Sequence, residues 1–290
     1  MKKLVTLLLV SFLGLSTFGQ FASNNKWSYS VFIGASNMLS DLGGSDYANV
    51  AGYRDVNLEA TQPAFGLGIQ RHVNRLTFSG NVMATRLIAN DQFSNIDGRA
   101  LRNLRVRTDL IEANALIEVL PFGSSPMPVM RNFYASTGLG LMYFEPKTDY
   151  NGEWINLQPL GTEGQNYLSN TERYNRIGLV IPIGFGYKFP IGKFTTVKLD
   201  YTMRKTFTDY LDDVSTVYAD PSSLVSSSGE IAAILADRSY IASNEGDKRG
   251  NSASKDFYFT FGVKISKTLG RKAKADCNQL DIPRKGIRIQ

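Results

Sequence analysis

The chain has 290 residues, 43% of them hydrophobic, one cysteine and a formal net charge of +6. The excess charge sits at the two ends, in Lys2 and Lys3 and in a C-terminal stretch where Arg271, Lys272, Lys274, Arg284, Lys285 and Arg288 outweigh Asp276 and Asp281. The body between them is neutral, which argues against a basic groove for nucleic acid, and the lone Cys277 excludes an internal disulfide framework and a cysteine-rich metal site.

Residues 1–19 read as a secretory signal peptide. Lys2 and Lys3 precede an apolar run from Leu4 to Leu15, and small residues follow up to Gly19, where cleavage is expected. About a dozen apolar residues are too few to span a bilayer as a helix. No later segment offers the roughly 18 uninterrupted apolar residues of a transmembrane helix, which leaves a soluble domain or a β-barrel.

Taken in chain order, eight segments alternate with a period of two, the signature of a strand with one apolar and one polar or small face. In the first, Trp27, Tyr29, Val31, Ile33 and Ala35 oppose Ser28, Ser30, Phe32 and Gly34. The second sets Phe65, Leu67 and Ile69 against Gly66, Gly68 and Gln70, and the third sets Leu76, Phe78, Val82 and Ala84 against Thr77, Ser79, Asn81 and Thr85. In the fourth, Ile111 to Val119 face away from Glu112, Asn114 and Glu118; the fifth runs from Phe133 to Tyr143. The sixth, Ile177 to Phe189, places Lys188 on the polar side, and the seventh opposes Val197, Leu199, Tyr201 and Met203 to Lys198, Asp200, Thr202 and Arg204. The last, Phe257 to Ile265, directs Phe257, Phe259 and Phe261 outward to lipid or an aromatic girdle and Tyr258 and Lys264 inward.

The gaps between these segments alternate long and short without exception, as in bacterial outer-membrane barrels. The expected fold is therefore all-β, an eight-stranded antiparallel up-and-down transmembrane barrel over residues 20–269. Its termini should lie in the periplasm, with a basic periplasmic tail at 270–290. Eight strands enclose a space that side chains fill, so the inward charges Glu112, Glu118, Lys198, Asp200, Arg204 and Lys264 should pair into a closed polar network.

Chemistry beyond this is sparse. Acyl-transfer enzymes among small barrels need a serine activated by a histidine. The only histidine, His72, falls in the shortest turn and reads as a solvated turn residue. The Gly138-Leu139-Gly140 pattern lacks the following helix of a dinucleotide loop. Asp209, Asp212 and Asp213 gather beyond the seventh strand without the spacing of a calcium loop; they are expected to cap a turn or pair with Arg249. No enzyme activity, cofactor or metal is expected. In the last long loop, Ser228 to Arg238 reads as a short helix with Ser228 as its cap, packing on the loop as a lid or docking another protein.

Several short motifs carry a resemblance. They are Phe18-Gly19-Gln20, Gly34-Ala35-Ser36-Asn37, Ser40-Asp41-Leu42-Gly43-Gly44, Leu120-Pro121-Phe122-Gly123, Thr208 to Ser215 and Arg249-Gly250-Asn251. Together they resemble the PorG family of Bacteroidota outer-membrane barrels over most of the mature chain. The resemblance implies a non-enzymatic component of the type IX secretion system, which in gliding species also serves motility. Its partners would be outer-membrane lipids and a periplasmic ring made by a lipoprotein and its companion protein. It gives the tail a role: Arg271, Lys272, Lys274, Arg284 and Lys285 would dock on that ring. An odd cysteine in an oxidising compartment implies pairing with another chain or a free thiol, and Cys277 is the candidate for an intermolecular link. The alternative is a stand-alone barrel of structural, adhesive or lipid-modifying type, acting through its outer loops.

Overall fold

The computed structural model describes residues 26–42, 58–94, 97–169 and 171–269. The expected signal peptide and the tail, with Arg271, Lys272, Lys274, Cys277, Arg284 and Lys285, lie outside the described residues.

Among the described residues nine strands form, eight of them as staves: β1 (Lys26–Leu39), β2 (Gln62–Val73), β3 (Leu76–Asn90), β4 (Arg105–Val119), β5 (Phe133–Tyr150), β7 (Ile177–Ile191), β8 (Thr195–Thr206) and β9 (Phe257–Thr268). Every stave pairs antiparallel with its sequence neighbour, and β1 pairs with β9, so the sheet closes on itself and has no free edge in its wall. The remaining strand, β6 (Glu153–Asn156), extends β5 as a hairpin beyond the ring. Its turn uses left-handed Asn151 and Gly152. The turns at residues 74–75, 120–132 and 192–194 share one end of the barrel with Lys26 and Thr268. This is the terminal end, and the long connections emerge at the opposite, loop end.

The alternation read from the sequence is the inside–outside pattern of the wall. Outward side chains such as Trp27, Ile33, Leu67, Val82, Ile111, Leu139, Phe185 and Phe261 are exposed. On β3 this apolar face runs over positions 76–84 and on β4 over 111–119, about nine residues each. That is the length a tilted strand needs to cross the hydrocarbon layer. Just beyond it, toward the loop end, charges appear on the same face. Arg86 pairs with Asp109 at 2.9 Å, Lys147 with Asp109 at 3.2 Å and Glu145 at 2.8 Å, and Arg176 with Glu145 at 2.8 Å. The strands thus continue out of the membrane layer, which is why they are longer than the apolar pattern alone indicates.

Two expectations are corrected here. Phe261 is 55% exposed, but Phe259 is only 8% exposed and lies beside Tyr201, ring centroids 5.8 Å apart, so it does not face lipid. After α1 (Asp97–Arg102), the last long loop holds α2 (Pro221–Ser228), which the sequence reading lacks, and then α3 (Glu230–Ala236), which is the helix expected within Ser228–Arg238 but without Ser228 as its cap. The side-chain cap belongs to Asp220, which accepts from Ser223 N at 2.8 Å with Pro221 in the first turn. Ser228 instead ends α2, where its hydroxyl takes a bond from Asn166 Nδ2 at 2.7 Å.

Inward glycines make room where the lumen is crowded. Gly34 and Gly262 face each other across β1 and β9, and a methyl on Gly262 would sit 2.5 Å from Gly34 Cα and 2.9 Å from the Phe32 ring. The Phe32 ring therefore crosses the lumen over two residues that carry no side chain.

Candidate functional site

The lumen is filled in tiers. Nearest the terminal end, Glu118 lies between two lysines, bonded to Lys198 Nζ at 2.7 Å and to Lys188. Next to it, Asp200 accepts bonds from the Tyr134 hydroxyl and from Thr202 Oγ1 (2.9 Å), with Lys264 Nζ at 3.6 Å. In the middle tier Arg204 donates Nε to Glu112 Oε2 at 2.6 Å, and Nη1 to Thr260 Oγ1 at 2.8 Å. Tyr258 and Asn114 donate to the same carboxylate at 2.7 and 2.6 Å. All six inward charges singled out in the sequence are brought into this network. Lys188, Tyr134 and Asn114 complete it; Lys188 and Asn114 stand on the inward face in sequence, but their partners depend on register.

Toward the loop end the lumen becomes apolar, with Met83, Leu87, Leu110, Met142, Phe144 and Val180 buried inside the wall. Leu211, Val214 and Leu235 descend from the last long loop onto this layer. A buried, well-packed apolar layer excludes water, so the barrel is stoppered above its ionic tiers.

Over that layer lies a cap built from motifs far apart in the chain. Asp212 accepts the backbone N–H of Leu42 at 3.1 Å and of Val214 at 3.0 Å. Asp213, in a left-handed conformation (φ 61°), accepts from Thr162 Oγ1 and the Tyr174 hydroxyl, each at 2.6 Å. Asp209 accepts from Ser215 Oγ at 2.8 Å. Arg249 is buried and donates to Glu163 Oε1 at 2.9 Å and to the Asp213 carbonyl at 2.6 Å, with its Nη2 3.8 Å from the Asp213 carboxylate. Asp41 accepts the Asn251 N–H, and Arg102 spans from Asp91, at 2.7 Å through two nitrogens, to the Asp41 carbonyl at 2.9 Å. The segments 40–42, 208–215 and 249–251 therefore converge on one another. The expected Arg249 pairing is met mainly by Glu163, which also accepts Ser215 N and Thr216 Oγ1 (2.8 and 2.7 Å). Nothing periodic marks Glu163 in the sequence; the signal is that a buried arginine needs a second carboxylate.

Burial governs the electrostatics of the cap. It pushes the Asp212 carboxyl up to about 7, with nearby Asp41 adding repulsion. Burial likewise raises Asp213 to about 6 against the opposing pull of Arg249, and lifts Asp256 well above the usual carboxylate range, with Asp212 and Asp209 as like-charged neighbours. Asp209, Asp212 and Asp213 point to three separate donor sets, the geometry of turn capping rather than of a shared cation.

His72 is not the solvated turn residue expected. It stands one residue before the end of β2, on the lumen side, with Nε2 2.8 Å from Ser28 Oγ and Nδ1 3.1 Å from Thr77 Oγ1. A serine–histidine pair is a nucleophile–base distance, yet the group behind the imidazole is a threonine hydroxyl rather than the carboxylate that orients a catalytic base.

No protein-family model matches the sequence, and no curated protein matches it. Among solved structures, Ail, the attachment invasion locus protein of Yersinia pestis in complex with the heparin analogue sucrose octasulfate, is 10% identical with a TM-score of 0.39, over 85% of this chain and all of that one. Neisserial surface protein A is 7% identical with a TM-score of 0.36 (84% and 97%), and OprG of Pseudomonas aeruginosa 9% with 0.32 (83% and 93%). This chain is similar to these outer-membrane proteins in its ring of eight strands, and its fold is fixed by its own closed strand pairing.

Proposed function

We propose that this protein is a non-enzymatic outer-membrane barrel that works as a sealed anchor within the type IX secretion system, as its resemblance to PorG-like barrels implies. In this reading the terminal end faces the periplasm, and the barrel holds the periplasmic ring lipoprotein and its companion to the membrane. The observation that carries it is the doubly closed lumen, ionic below and apolar above, which leaves the barrel's ends rather than its interior to do the work. The residues that carry the resemblance at the loop end are spent on the cap, so partner contact falls to the terminal end and the basic tail. Export and pull-down test this. Deleting the gene is expected to block secretion of many proteins, and tagged protein is expected to recover the ring components; normal export with no ring recovered overturns it.

A second reading, a stand-alone barrel binding through its outer loops, is favoured by one feature. Ile231 and Ile234 on α3 are exposed beside a chain carrying Tyr240 and Ile241, which are 71% and 72% exposed. Under that reading export is normal, and replacing these residues abolishes binding at the cell surface.

A further inference from the structure

Register places three lysines in one row on the lumen side. Lys188 is the cross-strand partner of Lys198, and Lys198 of Lys264. Like charges directly opposite on one face of a sheet repel. Two carboxylates answer them, Glu118 for Lys188 and Lys198, and Asp200 for Lys264. Nearer the opening, Lys26 stands opposite His72 and adds a fourth ammonium. Among the described residues, the terminal half of the lumen therefore holds four ammonium groups against two carboxylates, whereas Arg204 and Glu112 in the middle tier balance.

Between these lysines lies a cavity of about 220 Å³, lined by Lys26, Lys188 and Lys198 and by the hydroxyls of Ser28, Thr196 and Thr268 among others. His72 and Ser266 also line it, the Ser28 hydroxyl lies 2.8 Å from His72 Nε2 and 3.0 Å from the Thr268 hydroxyl, and the lysines make its charge positive. Ammonium groups and hydroxyls converging from several strands match the several acceptor oxygens of a tetrahedral anion. An unbalanced charge in a narrow lumen also calls for a counter-ion.

We propose that this cavity binds a phosphate group, free in solution or carried on a lipid headgroup, with Lys26, Lys188 and Lys198 supplying charge and Ser28, Thr196 and Thr268 supplying hydroxyl donors. The site does not depend on which machine the barrel serves. Calorimetry on the full chain folded in phosphate-free zwitterionic detergent tests it, at constant ionic strength. One arm titrates inorganic phosphate and the other a soluble short-chain phosphatidylglycerol. Saturable binding in either arm supports the site and identifies the source. Lys26 lies outside the ion pairs described above, so Lys26→Gln, together with Thr196→Val, is expected to weaken binding about tenfold while leaving heat-modifiable migration intact. In the unaltered protein, sulfate is expected to compete where chloride does not. Absence of saturable heat in both arms overturns the proposal, as does displacement by chloride as effective as by sulfate.

Discussion

Arg204 shows how a single residue holds the lumen together. Its guanidinium is buried and engages Glu112, the Thr202 carbonyl and Thr260. Removing one member of a buried pair strands the other, so Glu112→Ala is expected to destabilise the folded barrel by about 3–5 kcal/mol, read as a lower urea midpoint in detergent. Replacing both Glu112 and Arg204 with Met is expected to recover much of that loss. In the cap, Asp212 and Asp213 carry carboxyl pKa values raised by folding, to about 7 and about 6. A raised carboxyl binds its proton more tightly in the folded state. Its stabilising contribution is complete below the unfolded value and is lost as pH climbs through the folded one. Amide exchange at Leu42 and Val214, both bonded to Asp212, is therefore expected to accelerate between about pH 4 and 7 by more than base catalysis alone; a purely intrinsic rise refutes this. The six inward charges could be read from sequence because a period of two assigns each to a face. Their partners could not, because pairing depends on register across strands far apart in the chain.

At the scale of elements, the eight staves were legible because lipid on one side and a packed lumen on the other force strict alternation. The pattern stops where that constraint stops. Beyond Ala84 and Ile111 the outer face meets water, charges such as Arg86 and Asp109 are tolerated, and the strands run on without an apolar signal. The β6 hairpin and α2 escape the pattern for the same reason: both sit in loops where no single face must be apolar. Phe259 misled because an outward residue in the sheet can still be covered by a neighbour, here Tyr201. Phe261, by contrast, remains on the open face, so Phe261→Arg is expected to cost about 2–4 kcal/mol if it lies near mid-membrane. Heat-modifiable migration reports that loss, and an unchanged shift between folded and unfolded bands counts against a lipid-facing Phe261.

For the whole molecule, three sequence motifs recognisable only as fragments become one object. The segments around Asp41, Asp212 and Arg249 are separated by long connections, and meet over an apolar layer that closes the barrel. Below that layer, the Arg204–Glu112 tier fills the bore, and the lysine-lined cavity opens beneath it. Closed at both levels among the described residues, the barrel has no continuous water path along its bore. Current across a planar lipid bilayer holding the purified, folded full-length protein tests this closure. No steady conductance above that of the bare bilayer is expected from neutral to mildly acidic pH. Reproducible single-channel steps under those conditions would contradict it.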